Sequence, residues 1–191
     1  ARGLVATKPM HLFQVLLNTG ASKTLLPALL NTKLAEEVFR ETLIAHYEAV
    51  GKGLEERCAI TLMDLSASEI RSWAECVRMP IELRDFCEIF SELRALIDRH
   101  TESPYQSVDV LAWFNRADVW RKPDRAQALL SLADKIGFHV SVLINAMRNA
   151  QALNTAEIIA GVEAQDRSNG ERIGSAFESA RLAAITAALQ S

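Results

Sequence analysis

The chain has 191 residues, 49% hydrophobic and 24% charged, which excludes a disordered or fibrous polypeptide and supplies apolar side chains for a buried core. At roughly 100 to 200 residues per domain, this length allows one domain or a string of small helical units and leaves little room for a large catalytic apparatus. Acidic residues outnumber basic ones 24 to 21, for a formal charge of −3, so any nucleic-acid binding has to be local rather than a property of the whole surface.

With only 8 Gly and 5 Pro, short β-branched runs and no Asn-Gly between alternating apolar stretches, the chain reads as all-α. Thr7 and Pro9 open, and Gly20 closes, a first helix near 8–19. Leu25 to Leu30 reads as a short hydrophobic turn or helix, and Leu34, Val38, Leu43, Tyr47 and Val50 mark a helix over 33–50 that stops at Gly51-Lys52-Gly53. Leu54 to Met63 is apolar at helical spacing, and Ser66 with Glu69 forms a capping box opening a helix that Pro80 ends. After Pro80 comes the cleanest amphipathic pattern, with Leu83, Phe86, Ile89, Phe90, Leu93, Leu96 and Ile97 on one face and Glu82, Arg84, Asp85, Glu88 and Glu92 mostly around the other.

Thr101-Glu102-Ser103-Pro104 is loop-like, and Ser107 can cap a helix carrying Val108, Leu111, Trp113 and Phe114. Further helices are predicted from Pro123 to Gly137, over 138–152, from an Asn154/Glu157 capping box to Gly161, and over 170–189. About nine helices with short connectors make an irregular array without a fixed repeat. No segment reaches the ~18 apolar residues of a membrane span, and no signal-type apolar region is present. Cys58, Cys76 and Cys87 lack CxxC spacing, which points to a reducing compartment, so the expected location is cytoplasmic.

Motifs for phosphate or metal chemistry are scarce. There is no GxGxxG, GKS or GKT, and Gly51-Lys52-Gly53 sits between helices with no strand before it, which reads as an interhelical turn. Glu36-Glu37 and Glu55-Glu56 read as solvated faces. His11, His46, His100 and His139 are scattered without ligand spacing and read as structural histidines. No catalytic residue and no metal ligand is assigned. The informative stretch is 114–125, where Arg116, Arg121, Lys122 and Arg125 lie beside Trp113 and Trp120 at a helix junction. Cations at a helix start can meet phosphates, and an indole can stack with a base; equally, Asp118 and Asp124 can neutralise the cluster and the tryptophans can pack in the core.

Asp118-Val119-Trp120-Arg121-Lys122-Pro123-Asp124-Arg125 resembles the D-A-W-R-K-P-x-R segment of bacterial CCA-adding enzymes, the tRNA nucleotidyltransferases. Three further blocks keep the family's order. Arg2-Gly3-Leu4, Lys8-Pro9, Phe13 to Leu16, Gly20-Ala21 and Leu25-Leu26-Pro27 resemble the neck helix; Arg78 to Phe86 resembles the R-V-P-N-E-x-R-D-L start of a body helix; and Thr155 to Ile158 with Gly170, Ile173, Phe177, Arg181 and Ile185 resembles the tail. The resemblance implies a class II body-like fold in one continuous helical unit, with a neck over 1–53, a degenerate HD-like segment over 54–106 and a tail over 107–191. It also implies tRNA as partner and an N-terminal nucleotidyltransferase head, absent from this sequence, that would use Mg²⁺ with CTP and ATP. By itself the chain is then expected to be inactive and to carry no cofactor.

One branch of the family has an HD phosphohydrolase block reading R-F-A-x-L-x-H-D-L-G-K, and here Arg57 to Ser66 stands in its place, with Met63 for the histidine and Asp64 retained as the remnant of the pair. A thioether and one carboxylate do not make a site for a hard hydrolytic metal, so no phosphohydrolase activity is expected. The expected tRNA contacts are Arg116, Arg121, Lys122 and Arg125, then Lys8, Lys135 and Arg181. The alternatives are a free-standing helical interaction module of the same descent without RNA, and a residual HD-type phosphohydrolase.

Overall fold

The computed structural model describes residues 3–101, 103–163 and 169–190; Arg2 of the neck-like block and Glu102 of the loop-like stretch lie outside them. The described residues form twelve helices and no strand: α1 (Met10–Asn18), α2 (Ser22–Leu25), α3 (Ala28–Ala35), α4 (Glu37–Val50), α5 (Leu54–Leu62), α6 (Ala67–Cys76), α7 (Ile81–Arg99), α8 (Ser107–Arg116), α9 (Pro123–Lys135), α10 (Ser141–Gln151), α11 (Thr155–Gly161) and α12 (Gly170–Leu189). Among the described residues, no helix is long and apolar enough to cross a membrane. The all-α reading holds, but the expected nine helices become twelve.

Part of the difference lies near the start of the chain. Leu25 and Ala28 belong to different helices, because Pro27 stands at the N-cap of α3 in extended conformation. The single helix expected over 33–50 is broken at Glu36 (φ −80°, ψ 130°), where Arg40 Nη1 donates to Leu34 O at 2.9 Å and Ala35 O at 2.8 Å. A guanidinium on the last carbonyls of α3 satisfies groups that an unbroken helix would satisfy with backbone N–H.

The structure divides into two compact units. The first comprises Ala1–Asp98 with Ser131–Phe138. Within it α1 packs on α2, α2 on α3, α3 on α4 and α4 on α5, around Phe13, Leu34, Leu43, Ile60 and Phe90, all buried. Arg57 is 5% exposed; its Nε donates to Gly51 O and its Nη1 to Leu4 O and Ala6 O, at 2.5, 2.5 and 2.9 Å. Its guanidinium also covers the Tyr47 ring at 5.1 Å. A buried cation fastened to three carbonyls straps the segment before α1 onto α5.

On the apolar face of α7, Phe86, Ile89, Phe90, Leu93 and Leu96 are buried as the spacing predicts and Leu83 and Ile97 are half-buried, but Glu88 is not on a solvated face: it is 0% exposed. Arg71 meets it with two bonds, Nε to Oε1 at 3.2 Å and Nη2 to Oε2 at 2.8 Å, and Arg84 approaches Oε1 at 3.4 Å. Desolvating a carboxylate is tolerable only with such pairing.

The second unit comprises Arg99–Leu130 with His139–Ser191. Here α12 packs against α8, α10 and α11, and Val110, Phe114, Leu129, Leu143 and Ile185 are buried. Ser107 is the first residue of α8 rather than its cap: Gln106 takes the N-cap position, without a side-chain capping bond. Asn154 caps α11 through Ala156 N–H at 3.0 Å, while Glu157 accepts from the Asn154 side-chain amide.

Helix ends reuse one device. α6 closes at Cys76, before Pro80, with Met79 N–H donating to Ala74 O at 2.8 Å and Arg78 N–H to Glu75 O at 3.3 Å, the paired bonds of a Schellman motif. Gly137 fills the left-handed position of the same motif after α9 at φ +92°, whereas Arg78 adopts φ +51° with a side chain attached. Arg78→Gly is therefore expected to raise stability by about 1 kcal/mol, read as a higher urea midpoint at unchanged slope. At the start of α6 the capping box forms as expected: Ser66 Oγ accepts from Glu69 N–H at 3.3 Å, and Glu69 Oε2 accepts from Ser66 N–H at 2.8 Å. The Ser66 hydroxyl and then its N–H hold the Glu69 carboxyl below its usual value, so this contribution is complete above the ordinary glutamate range and disappears as pH falls through the lowered value. Ser66→Ala should cost about 1 kcal/mol at neutral pH, with the gap to the parent protein narrowing in acid.

Candidate nucleic-acid interface

Every side chain of the basic stretch depends on how α8 gives way to α9. Helix α8 ends in the same paired closure: Asp118 N–H donates to Asn115 O and Val119 N–H to Phe114 O, both at 3.1 Å, with Asp118 at φ +59°. The Asp118 carbonyl then accepts Arg121 N–H at 3.1 Å and Lys122 N–H at 2.8 Å, and Pro123 opens α9, where its missing N–H costs nothing. From the first turn of α9, Arg125 reaches back, donating to Ala117 O from Nε at 3.2 Å and Nη2 at 2.8 Å.

The four cations of this junction therefore do different things. Arg125 is half-buried and fastened to backbone. Arg121, whose side chain is 83% exposed, donates from Nε to Asp118 Oδ1 at 2.8 Å. That bond, with the charges of Arg121, Arg125 and Lys122 behind it, holds the Asp118 carboxyl below the usual carboxylate range. The same bond and the Asp118 charge raise the pKa of Arg121. Lys122 and Arg116 are exposed at the turn and on the last turn of α8.

The two tryptophans also separate. Trp113 is 4% exposed and packs in the core. Trp120 is half-buried: its Nε1 donates to Asn115 Oδ1 at 2.7 Å and its ring stands edge-on to Phe114, 87° between planes at 6.3 Å. Arg181 of α12 lies over the indole, its guanidinium carbon 3.9 Å from the ring centroid and 5.5 Å from that of Phe177. Burial pulls its pKa down. A groove of about 410 Å³ opens beside this stack, walled by Trp120, Pro123, Gln151, Thr155, Phe177 and Arg181.

Of the seven expected contacts, chain proximity groups Arg116, Arg121, Lys122 and Arg125, and packing of α12 brings Arg181 to Trp120. Lys8 and Lys135 are exposed in the other unit. Asn115, which fixes the indole, carried no motif of its own; its only signal is a position five residues before Trp120 across a left-handed corner.

The HD-like block offers poor metal chemistry. Met63 is 8% exposed and belongs to the core, and Asp64 Oδ2 receives Lys33 Nζ at 2.5 Å, so an ammonium stands where a cation would bind. Of the histidines, His11 and His139 are exposed, burial lowers the pKa of the half-buried His46, and His100 packs on Tyr105 with Nε2 3.4 Å from Asp109 Oδ2. The cysteines are free thiols, and burial pushes Cys58 up to about 11.

These roles separate in stability measurements. Arg125→Ala leaves the Ala117 carbonyl without its charged donor and should cost about 1 kcal/mol, while Arg121→Ala, removing an exposed and solvent-screened pair, should leave stability nearly unchanged. Urea titrations of the two variants make the comparison.

No family model and no solved structure matches the chain. Over 61 residues, 32% of its length, it is 38% identical to the multifunctional CCA protein of Tolumonas auensis, and the match spans 14% of that protein.

Proposed function

We propose that this chain is the tRNA-binding helical portion of a CCA-adding tRNA nucleotidyltransferase. Catalysis belongs to a head, outside these 191 residues, that uses Mg²⁺ with CTP and ATP. The observation that carries this reading is the 38% identity over 61 residues to a protein named for CCA. The ordered sequence blocks support it, with neck over 1–53, degenerate HD segment over 54–106 and tail over 107–191.

The chemistry of the α8–α9 corner suits such a partner. A-form RNA buries its major-groove edges, so a protein that must accept every tRNA reads phosphates and shape. Arg121, Lys122 and Arg116 are exposed near one another where α8 gives way to α9. Asp118 takes part of the charge of Arg121, so Lys122 is the stronger phosphate contact of the pair. Arg125 acts by holding the corner, and Lys8 and Lys135 stand as further contacts. The Lys33 ammonium on Asp64 and the buried Met63 count against a residual phosphohydrolase. The charge of −3 is what favours the second reading, an interaction module without RNA.

Charge reversal at Arg121 and Lys122 together should weaken tRNA binding by at least ~1 kcal/mol and flatten its dependence on salt, in gel shifts at two ionic strengths. Unchanged binding would assign the cluster a structural role, and no binding by the parent chain would favour the interaction module. Incubation with Ni²⁺, Co²⁺ or Mg²⁺ and a cyclic nucleotide should give no turnover; metal-dependent hydrolysis would revive the phosphohydrolase.

A further inference from the structure

The groove beside Trp120 is not needed for holding phosphates. Its platform is built in advance. The Nε1 bond to Asn115 fixes the indole plane, Phe114 meets the indole in a T-shaped contact, and the Arg181 guanidinium lies against the indole at van der Waals distance. At about 410 Å³ the groove falls within the roughly 300–1,000 Å³ of small-ligand sites.

The lining selects the occupant. A half-buried guanidinium in the wall penalises a purely aliphatic ligand, because filling the groove would strip the cation of water without return. A flat π system avoids that penalty: stacked against the guanidinium, it adds a cation–π contact to those that Trp120 and Phe177 already make with Arg181. Gln151 and Thr155 also line the groove, with an amide and a hydroxyl, groups that bond to the edge of a heterocycle. The next two residues after Trp120 are Arg121 and Lys122, so an anionic linkage attached to the flat ring meets positive charge as it leaves the groove.

We propose that this groove receives one unpaired nucleobase of the RNA, stacked on Arg181 as a further layer of the Trp120–Arg181 pair, with the adjoining phosphates met by Arg121 and Lys122. The inference rests on the tRNA-binding reading and adds to it a second kind of contact, stacking rather than charge. Sequence tolerance follows, because every base has a π face. Arg181 here is a planar surface, not a phosphate ligand, so lysine cannot replace it.

The test titrates the chain with a short single-stranded RNA, a blunt RNA duplex, tRNA and AMP, following tryptophan emission and affinity. The single strand should quench emission in the parent protein, and Arg181→Lys should weaken its binding about tenfold while leaving duplex affinity and the urea midpoint unchanged. If Arg181→Lys lowers the midpoint, Gln151→Leu on the rim replaces it, with the same selective loss expected. Failure of the single strand to bind, equal losses for single strand and duplex, or no loss for either would overturn the proposal. AMP binding as tightly as the single strand would also overturn it, making the occupant a free nucleotide. By contrast, a parent protein that binds the single strand through Arg181 but neither duplex nor tRNA would leave the groove standing and defeat the tRNA reading.

Discussion

The basic corner hangs on one carbonyl. Ala117 O, at the end of α8, has no helical partner of its own, and Arg125 supplies two donors to it from the first turn of α9. That clamp, with Asp118 held in the left-handed region, fixes the exit of one helix against the entry of the next. Trp120 and the two exposed cations that follow it are carried on the turn so defined. A charged residue within the cluster thus gives up solvent contact so that its neighbours keep theirs in a set geometry.

The same principle, a guanidinium satisfying carbonyls at a helix end, recurs at Arg40 on Leu34 and Ala35 and at Arg57 on Gly51, and Arg57 extends it to Leu4 and Ala6 in the segment before α1. Arginine suits this work because its planar fork presents several donors in fixed directions and stays charged when buried. Much of the chain's basic charge is consequently structural, as is Glu88 between Arg71 and Arg84. A formal charge of −3 therefore says little about any one surface, since it averages over charges that are paired and charges that are exposed, Lys122 and Arg121 at the corner among the latter.

Arg57 to Ser66 can be read both along the chain and in space. The sequence shows a thioether where an imidazole would be needed. The structure adds that Met63 packs in the core and that Lys33, thirty-one residues away, supplies the Asp64 counter-ion. The carboxylate keeps a partner, but one that repels a metal ion.

Helix type and most helix positions were legible because capping and periodicity are local: Ser66 with Glu69, Gly20, Gly137 and the apolar face of α7 act within a few residues of themselves. The break at Glu36 was not legible, since it depends on where the Arg40 side chain turns back, and neither was the burial of Glu88, since a glutamate on a helix looks solvated until Arg71 comes from another element. For the site, the sequence by itself determined the run of cations and aromatics at 113–125 and its place between two helices. Only tertiary structure decided which of them face solvent, sent Trp113 inward, and laid Arg181 on Trp120 from sixty-one residues away. Stacking and desolvation are properties of pairs brought together by packing, and no local pattern encodes the partner.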